Sequence, residues 1–518
     1  MGRSLHSAIV HLMRRGGRRP VRLFSALLLA GAVVAGCSQS AAELQADRTA
    51  HGGIAGNGTN TPAEQRAAKV PLATASPRQS GGVVAAGAAD AVYNYGPTVM
   101  TENGRTRMWW CSQYGSAPPP GDDILYSEAA SANGSFTGPG GGAPPAVLSG
   151  SPGNFDGVHT CDPSVLRVGG TYFMYYTGAA GDHALGNAVG LATSTDGVHW
   201  TRANGGRPIL GPSHDVHRAN VYGAGQPAAV FLDGWYYLMF TDTTGRAAGW
   251  NGAGQFVLRA HDAAFRSGVE ALGVKGFASV SGTAAPRERS VVDGFSADLA
   301  WVGALDAFAI AHETAQGTTI TFWDRDFTVQ PYAPVVLPGA WQEGPGLVRR
   351  PDGHAPTSLA DPCGTVPLDV VRATRIGDAG APTGLMHFGL DVRGAGGCSS
   401  PSRLTTTFDG VAMPSPDRMI DLFRRGERIR VDRRSVAGVL AGELLGRSVP
   451  QVAKLPVKTR LHSGATVVHA YGHGYGIVLD SVLYGLPDTS IVPLNGSGVL
   501  EIDPRQWDAS ARGLPLGG

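Results

Sequence analysis

Three acidic residues stand at the start of short apolar runs: Asp162 in "CDPSVL", Asp298 in "SADLAW" and Glu343 in "EGPGLV". Carboxylates brought from separate strands into one cavity can divide proton transfer between them. One, kept protonated by its surroundings, donates to a leaving oxygen; another, ionised, activates water or attacks carbon. A third can raise the acid's pKa by like-charge repulsion. Hydrolysis of a glycosidic bond is the chemistry that uses such a set. The same residues could instead cap the turns before their strands, so everything depends on what brings them together.

Two further segments share the pattern, "YGPTVM" from Tyr95 and "GQPAAV" from Gly225. After the lead-in come a turn and a second apolar strand, as in "RMWWCS", "TYFMYYTG", "WYYLMFTD" and "AFAIAHE", then a third such as "DILYSEA" or "AVGLATS". The 75 glycines and 35 prolines suit many short strands joined by turns. A sheet unit repeated five times predicts an all-β fold, a five-bladed β-propeller over residues 90–414. A β-sandwich would leave the recurring lead-in unexplained. The first strand of a blade lines the centre, so Gly96, Asp162, Gln226, Asp298 and Glu343, within one residue of register, are expected to face one funnel. There Tyr95 and Gln226 could hydrogen-bond a substrate's hydroxyls, and Trp110, Trp250 and Trp341 could stack on sugar faces. In "STDGVHW" (Ser194 to Trp200) the acid is expected to serve a turn and the tryptophan to pack between blades.

The flanks read differently. Arg14, Arg15, Arg18, Arg19 and Arg22 precede the apolar stretch "LFSALLLAGAVVAGC", too short for an ordinary membrane span. Its end, Val34 to Cys37, resembles the lipobox of bacterial lipoproteins, which implies a signal over residues 1–37, lipidation of Cys37, and an extracytoplasmic protein on the cell envelope. Residues 38–89, rich in Ala, Gly, Thr and Gln, are expected to form a flexible tether. Residues 415–518 change texture and are expected to form a small appended α+β or β-rich module. Setting Cys37 aside leaves Cys111, Cys161, Cys363 and Cys398, an even number in an oxidising compartment. Three pairings are open; the sequence-neighbouring pairs Cys111–Cys161 and Cys363–Cys398 are preferred. No cysteine spacing resembles a zinc site. A formal net charge of +1 argues against a nucleic-acid partner, and no nucleophile elbow, P-loop or HExxH helix is present.

The segment "DPSVLRVGGTYFMYYTG" resembles the opening of glycoside hydrolase family 43, the β-xylosidases and α-L-arabinofuranosidases, and its five-bladed relatives. The resemblance covers roughly residues 93–390 and is specific around its motifs. It implies that Asp162 of Asp-Pro-Ser is the general base. Asp298, in Ala-Asp-Leu, would be the pKa modulator, although Ser296-Ala297 stands where the family has Ala-Pro, and Asp293 in "VVDGFS" competes for the role. Glu343, in Glu-Gly-Pro, would be the general acid. It further implies inverting hydrolysis of arabinofuranosyl or xylosyl oligo- or polysaccharides by a monomer held to the membrane through its lipid alone. It also implies His387 near the centre as a substrate contact; no cofactor is required on this reading, and a structural calcium near the axis is compatible with it.

Overall fold

A computed structural model describes residues 69–89, 91–102, 104–113, 121–181 and 186–516. The signal, Cys37 and most of the expected tether lie outside the described residues. The fold is mostly β, 44% strand and 8% helix.

Five antiparallel units follow one another along the chain. The first contains β2 (Asn94–Glu102), β3 (Arg105–Ser112), β4 (Asp123–Ala129) and β5 (Ala146–Leu148), preceded in sequence by β1 (Ala73–Gln79). The second contains β6 (His159–Val168), β7 (Thr171–Ala179), β8 (Ala188–Ser194) and β9 (Thr201–Arg202). The third runs from β10 (Ala224–Leu232) through β11 (Trp235–Asp242), β12 (Gln255–Ala260) and β13 (Glu270–Gly273) to β14 (Gly276–Ser279). The fourth contains β15 (Ala297–Val302), β16 (Ala307–Thr314), β17 (Gly317–Trp323) and β18 (Val335–Leu337). The fifth contains β19 (Gly346–Arg349), β20 (Thr365–Ile376) and β21 (Pro382–Arg393), and β1 supplies its outer strand. The first strands neighbour one another in cyclic order, β2 to β6, β10, β15, β19 and back to β2. The last contact includes parallel pairing of Val348 with Val99 and Arg349 with Met100.

Local chemistry accounts for the hairpins. Gly169-Gly170 and Asp233-Gly234 each join two strands as two-residue turns with both φ values positive. Such turns match the twist of the flanking strands, and glycine tolerates them best. Apolar side chains on both faces of the second strands then fill the spaces between units. Met100, Trp109 and Tyr126 of the first unit meet Val165, Tyr172 and Met174 of the second; Leu166 and Tyr175 meet Leu238 and Phe240 of the third. The core therefore lies between sheets rather than inside any one of them. The "STDGVHW" turn belongs to this packing. Asp196 Oδ1 accepts from the amides of Val198 and His199, both at 2.8 Å, and Gly197 O accepts from Trp109 Nε1 of the neighbouring unit, also at 2.8 Å.

β1 corrects the tether reading for its part of the chain. Ala73–Gln79 is strand, held at the edge of the fifth unit by Arg78, which grips Asp369 at 2.6 and 2.7 Å and Asp391 at 2.8 Å. Pro77 is tolerated because it lies on an edge strand, at a register shift between Ala75 and Arg78. After β21, short helices at Pro401–Thr407 and Arg434–Leu440 accompany a five-stranded sheet that starts at Val411, four residues before the expected boundary. A second, four-stranded sheet follows, from Val467 to Glu501. The disulfides are Cys111–Cys161, linking β3 to β6, and Cys363–Cys398. Among the described residues no helix is long and apolar enough to cross a membrane.

Candidate active site

The repeated lead-ins are bulges. Pairing slips at Gly96-Pro97, Asp162-Pro163 and Gln226-Pro227, between the flanking residues Tyr95/Thr98, Cys161/Ser164 and Gly225/Ala228. The residue before each proline has positive φ: +55° at Gly96, +47° at Asp162 and +49° at Gln226. Gly344-Pro345, just ahead of β19, repeats the conformation with φ +66°. A bulge needs no ladder hydrogen bond from the proline, which has none to give. Asp162 and Gln226 are the non-glycine members, and holding them in this conformation costs on the order of 1 kcal/mol or more each. β15 lacks the bulge: Ala297 and Asp298 stay in register with His312 and Ala311.

All five lead-ins converge on one small depression, lined by Gly96-Pro97, Asp162-Pro163, Gln226-Pro227, Ser296 to Asp298, and Gly344-Pro345. Glycine is required at two of these positions for space as well as conformation. A Cβ on Gly96 would lie 2.9 Å from Asp162 Oδ1, and one on Gly344 would lie 2.6 Å from the Gly96 Cα.

The three carboxylates are served differently. Asp162 is partly exposed, whereas Asp298 and Glu343 are buried. Although the residue keeps some exposed surface, desolvation of its carboxyl pushes Asp162 up to about 7, opposed by a hydrogen bond from the Thr177 hydroxyl and assisted by the charge of Asp122. Glu343 is pushed up to about 8, first by burial and then by the like charge of Asp162. Its Oε1 accepts from Gln226 Nε2 at 2.9 Å, and Ser296 Oγ lies 3.4 Å from it. Its Oε2 is buried without a hydrogen-bond partner. A buried oxygen left so is costly unless it has another use, and a protonated Oε2 is a donor with no protein acceptor.

Asp298 is saturated. Its Oδ1 accepts from Leu299 N at 2.9 Å and lies 3.3 Å from Arg349 Nη1, while Oδ2 accepts from Leu347 N at 2.7 Å. Burial raises its pKa, and Arg349 opposes the shift. The like charges that raise Glu343 are those of Asp162 and Asp122.

Arg349 is a residue that sequence reasoning missed. It is 2% exposed and reaches each of the other four first strands. Its Nη1 donates to Ala229 O at 3.0 Å and Leu299 O at 2.8 Å, and its Nη2 donates to Thr98 Oγ1 at 2.8 Å. Ser164 Oγ lies 3.5 Å away. An arginine inside the apolar "GLVRR" was the available signal, with Arg350 beside it as an equal candidate. Thr177 and Ser296 were also missed, being small hydroxyl residues with no distinctive spacing.

Several expected substrate contacts are placed elsewhere. Trp110 is fully buried and donates to Asn94 Oδ1 at 2.8 Å, because both faces of β3 are covered by packing. Tyr95 is buried with its hydroxyl 3.2 Å from the Cys161 sulfur and does not line the depression. His387 sits on β21, with Nε2 2.7 Å from Asp369 Oδ1, and is not among the residues lining the depression. Trp250 is 72% exposed on the connection from β11 to β12, and Trp341 is half-buried two residues before Glu343. Among the described residues the cluster with metal-like spacing is Cys111, Asp122 and Cys161, whose sulfurs are bonded to each other.

No protein-family profile matches the chain, and no curated protein is similar to it in sequence. Similar solved structures include a family 117 glycoside hydrolase from the marine bacterium Zobellia galactanivorans, 11% identical with TM-score 0.41, covering 62% of this chain and 91% of that one. An α-L-arabinofuranosidase from Podospora anserina is 9% identical with TM-score 0.38, covering 63% and 99%. A family 43 β-xylosidase/α-arabinofuranosidase from a compost microbial metagenome is 14% identical with TM-score 0.39, covering 60% and 94%. These structural neighbours are glycoside hydrolases of several families. The likenesses are distant, and the functional reading rests on the geometry of this chain.

Proposed function

We propose that the protein is an extracytoplasmic glycoside hydrolase, lipid-anchored at Cys37 and built on a five-bladed β-propeller, that cleaves arabinofuranosyl or xylosyl glycans with inversion. The observation that carries the reading is the pairing of Asp162 with Glu343 at one depression. One carboxyl is partly exposed, and the other is buried, pushed up by its neighbour's charge, and left with an oxygen no protein group meets. The cyclic contact order of the five first strands supports the propeller.

Glu343 Oε2 gives its proton to the glycosidic oxygen as the bond from that oxygen to the anomeric carbon breaks. Asp162 takes a proton from a water molecule, whose oxygen bonds the anomeric carbon from the opposite face. Inversion needs about 6.5–9.5 Å between the two carboxyls to admit that water. Asp162 is assigned the base because it keeps access to solvent water, whereas Glu343 is buried.

A second reading is a glycan-binding propeller without turnover. It is favoured by the fact that the Glu343 side chain is not among those lining the depression. Incubation with aryl pentosides, arabinan, xylan and fructan, alongside Glu343→Gln, separates the two. Release of sugar from natural linkages that collapses in the variant supports the hydrolase. Retained glycan binding with no turnover on any of these substrates supports the binding module.

A further inference from the structure

Gln226 occupies the same bulge position in the third unit as Asp162 does in the second, with nearly the same φ. A side chain kept in a costly conformation at a functional depression calls for a reason, and a substrate contact is the obvious one. The hydrogen bonds give another. The amide of Gln226 is used at both ends within the protein: Nε2 donates to Glu343 Oε1 at 2.9 Å, and Oε1 accepts from Ser296 Oγ at 2.8 Å. The side chain is 7% exposed.

We propose that Gln226 is a positioning residue for the acid Glu343. By occupying Oε1 as a donor, with its own oxygen fixed by Ser296, it leaves the carboxyl proton on Oε2, the oxygen that no protein group meets. This rests on the hydrolase reading and adds to it the group that determines which oxygen of the acid is the donor. The backbone of the same residue serves the base. Gln226 N donates to Thr177 Oγ1 at 2.7 Å, and the Thr177 hydroxyl bonds Asp162. A substitution of the side chain therefore disturbs the acid and leaves the link to the base in place.

The test compares Gln226→Met with the unaltered protein on two substrates, a natural pentosyl linkage and an aryl pentoside with an activated leaving group. The activated substrate needs little acid assistance. A positioning role predicts that kcat on the natural linkage falls about 10- to 100-fold, part of what general acid catalysis supplies, with a loss at least about tenfold smaller on the aryl pentoside. Equal losses on both substrates, carried by KM, would make Gln226 a substrate contact and overturn the proposal. No loss on either would also overturn it. Ser296→Ala, which frees the amide without altering the bulge, should show the same selectivity with a smaller loss, and it serves if Gln226→Met folds poorly.

Infrared difference spectra against Glu343→Gln at pH 6 provide a readout independent of turnover, so failure of the hydrolase reading and failure of this one remain distinguishable. The carboxyl C=O band of Glu343 should move to higher wavenumber in Gln226→Met, where its amide donor is gone. A band that stays in place would overturn the assignment even in a protein that hydrolyses glycans.

Discussion

Asp298 lies on β15 and Glu343 three residues ahead of the neighbouring β19, yet their oxygens are served in opposite ways. Asp298 has two backbone donors and a guanidinium that also ties together four other strands. Glu343 has one oxygen held by an amide and the other by nothing. Both are buried carboxyls with raised pKa values, so neither burial nor the direction of the shift tells them apart. Saturation does. A buried carboxylate whose lone pairs are filled and whose charge has its own counterion is part of the scaffold. One that is under-served beside a second acid is equipped to exchange a proton.

The largest expected effect breaks the reactive side of this contrast. Glu343→Gln and Asp162→Asn should each lower turnover on natural linkages by about 10²- to 10⁴-fold, the range of general acid–base catalysis. Steady-state product analysis with the fold checked by circular dichroism would measure it.

Breaking the scaffold side should appear in stability instead. Arg349→Met leaves Asp298 buried without its cation, and removing one partner of such a pair costs about 3–5 kcal/mol. Denaturant unfolding should give that loss, whereas Asp298→Asn with Arg349→Met together should recover part of it. A double variant no more stable than the single one would count against the clamp.

A smaller effect lies between the two. Gly96→Ala forces a side chain into positive φ at a cost of about 1 kcal/mol and drives its Cβ towards Asp162 Oδ1. We expect kcat to fall more than stability does, measured by parallel kinetics and melting.

The least conspicuous prediction concerns pH. Glu343 is protonated in the folded protein up to about pH 8, while in the unfolded chain it ionises near its ordinary value of 4.5. Its contribution to stability is therefore full below about pH 4 and is lost as pH rises through about 8. Glu343→Gln cannot ionise, so it should melt above the unaltered protein by roughly 2–5 °C at pH 8 and by less at pH 5.

Much of this site was legible because its parts are local. Asp-Pro, Gln-Pro and Glu-Gly-Pro ahead of apolar runs mark equivalent lead-ins, so Asp162, Gln226 and Glu343 could be aligned to within one residue from the sequence alone. The disulfides join the sequence-neighbouring cysteines. Roles assigned across units were harder. Arg349 and Asp298 lie 51 positions apart by number (349 − 298), and nothing in either segment states that the guanidinium meets the carboxylate. Trp110 looked like a sugar platform because a strand normally has one outward face, but β3 is covered on both. Ala73–Gln79 has weak strand propensity and a proline; it is strand because an open edge and the Asp369–Arg78–Asp391 contacts receive it. His387 was expected near the centre by resemblance, and on β21 its Nε2 is taken by Asp369 Oδ1.

The central claim is that Asp162 and Glu343 divide the proton work at one depression. The most direct measurement is the pH dependence of kcat/KM for a natural pentosyl linkage, in the unaltered protein and, at higher enzyme concentration, in Glu343→Gln. With the base near 7 and the acid near 8, the unaltered protein should give a bell with limbs close to those values. In Glu343→Gln the alkaline limb should vanish while the acidic limb near 7 remains. An alkaline limb that survives the substitution would contradict the account.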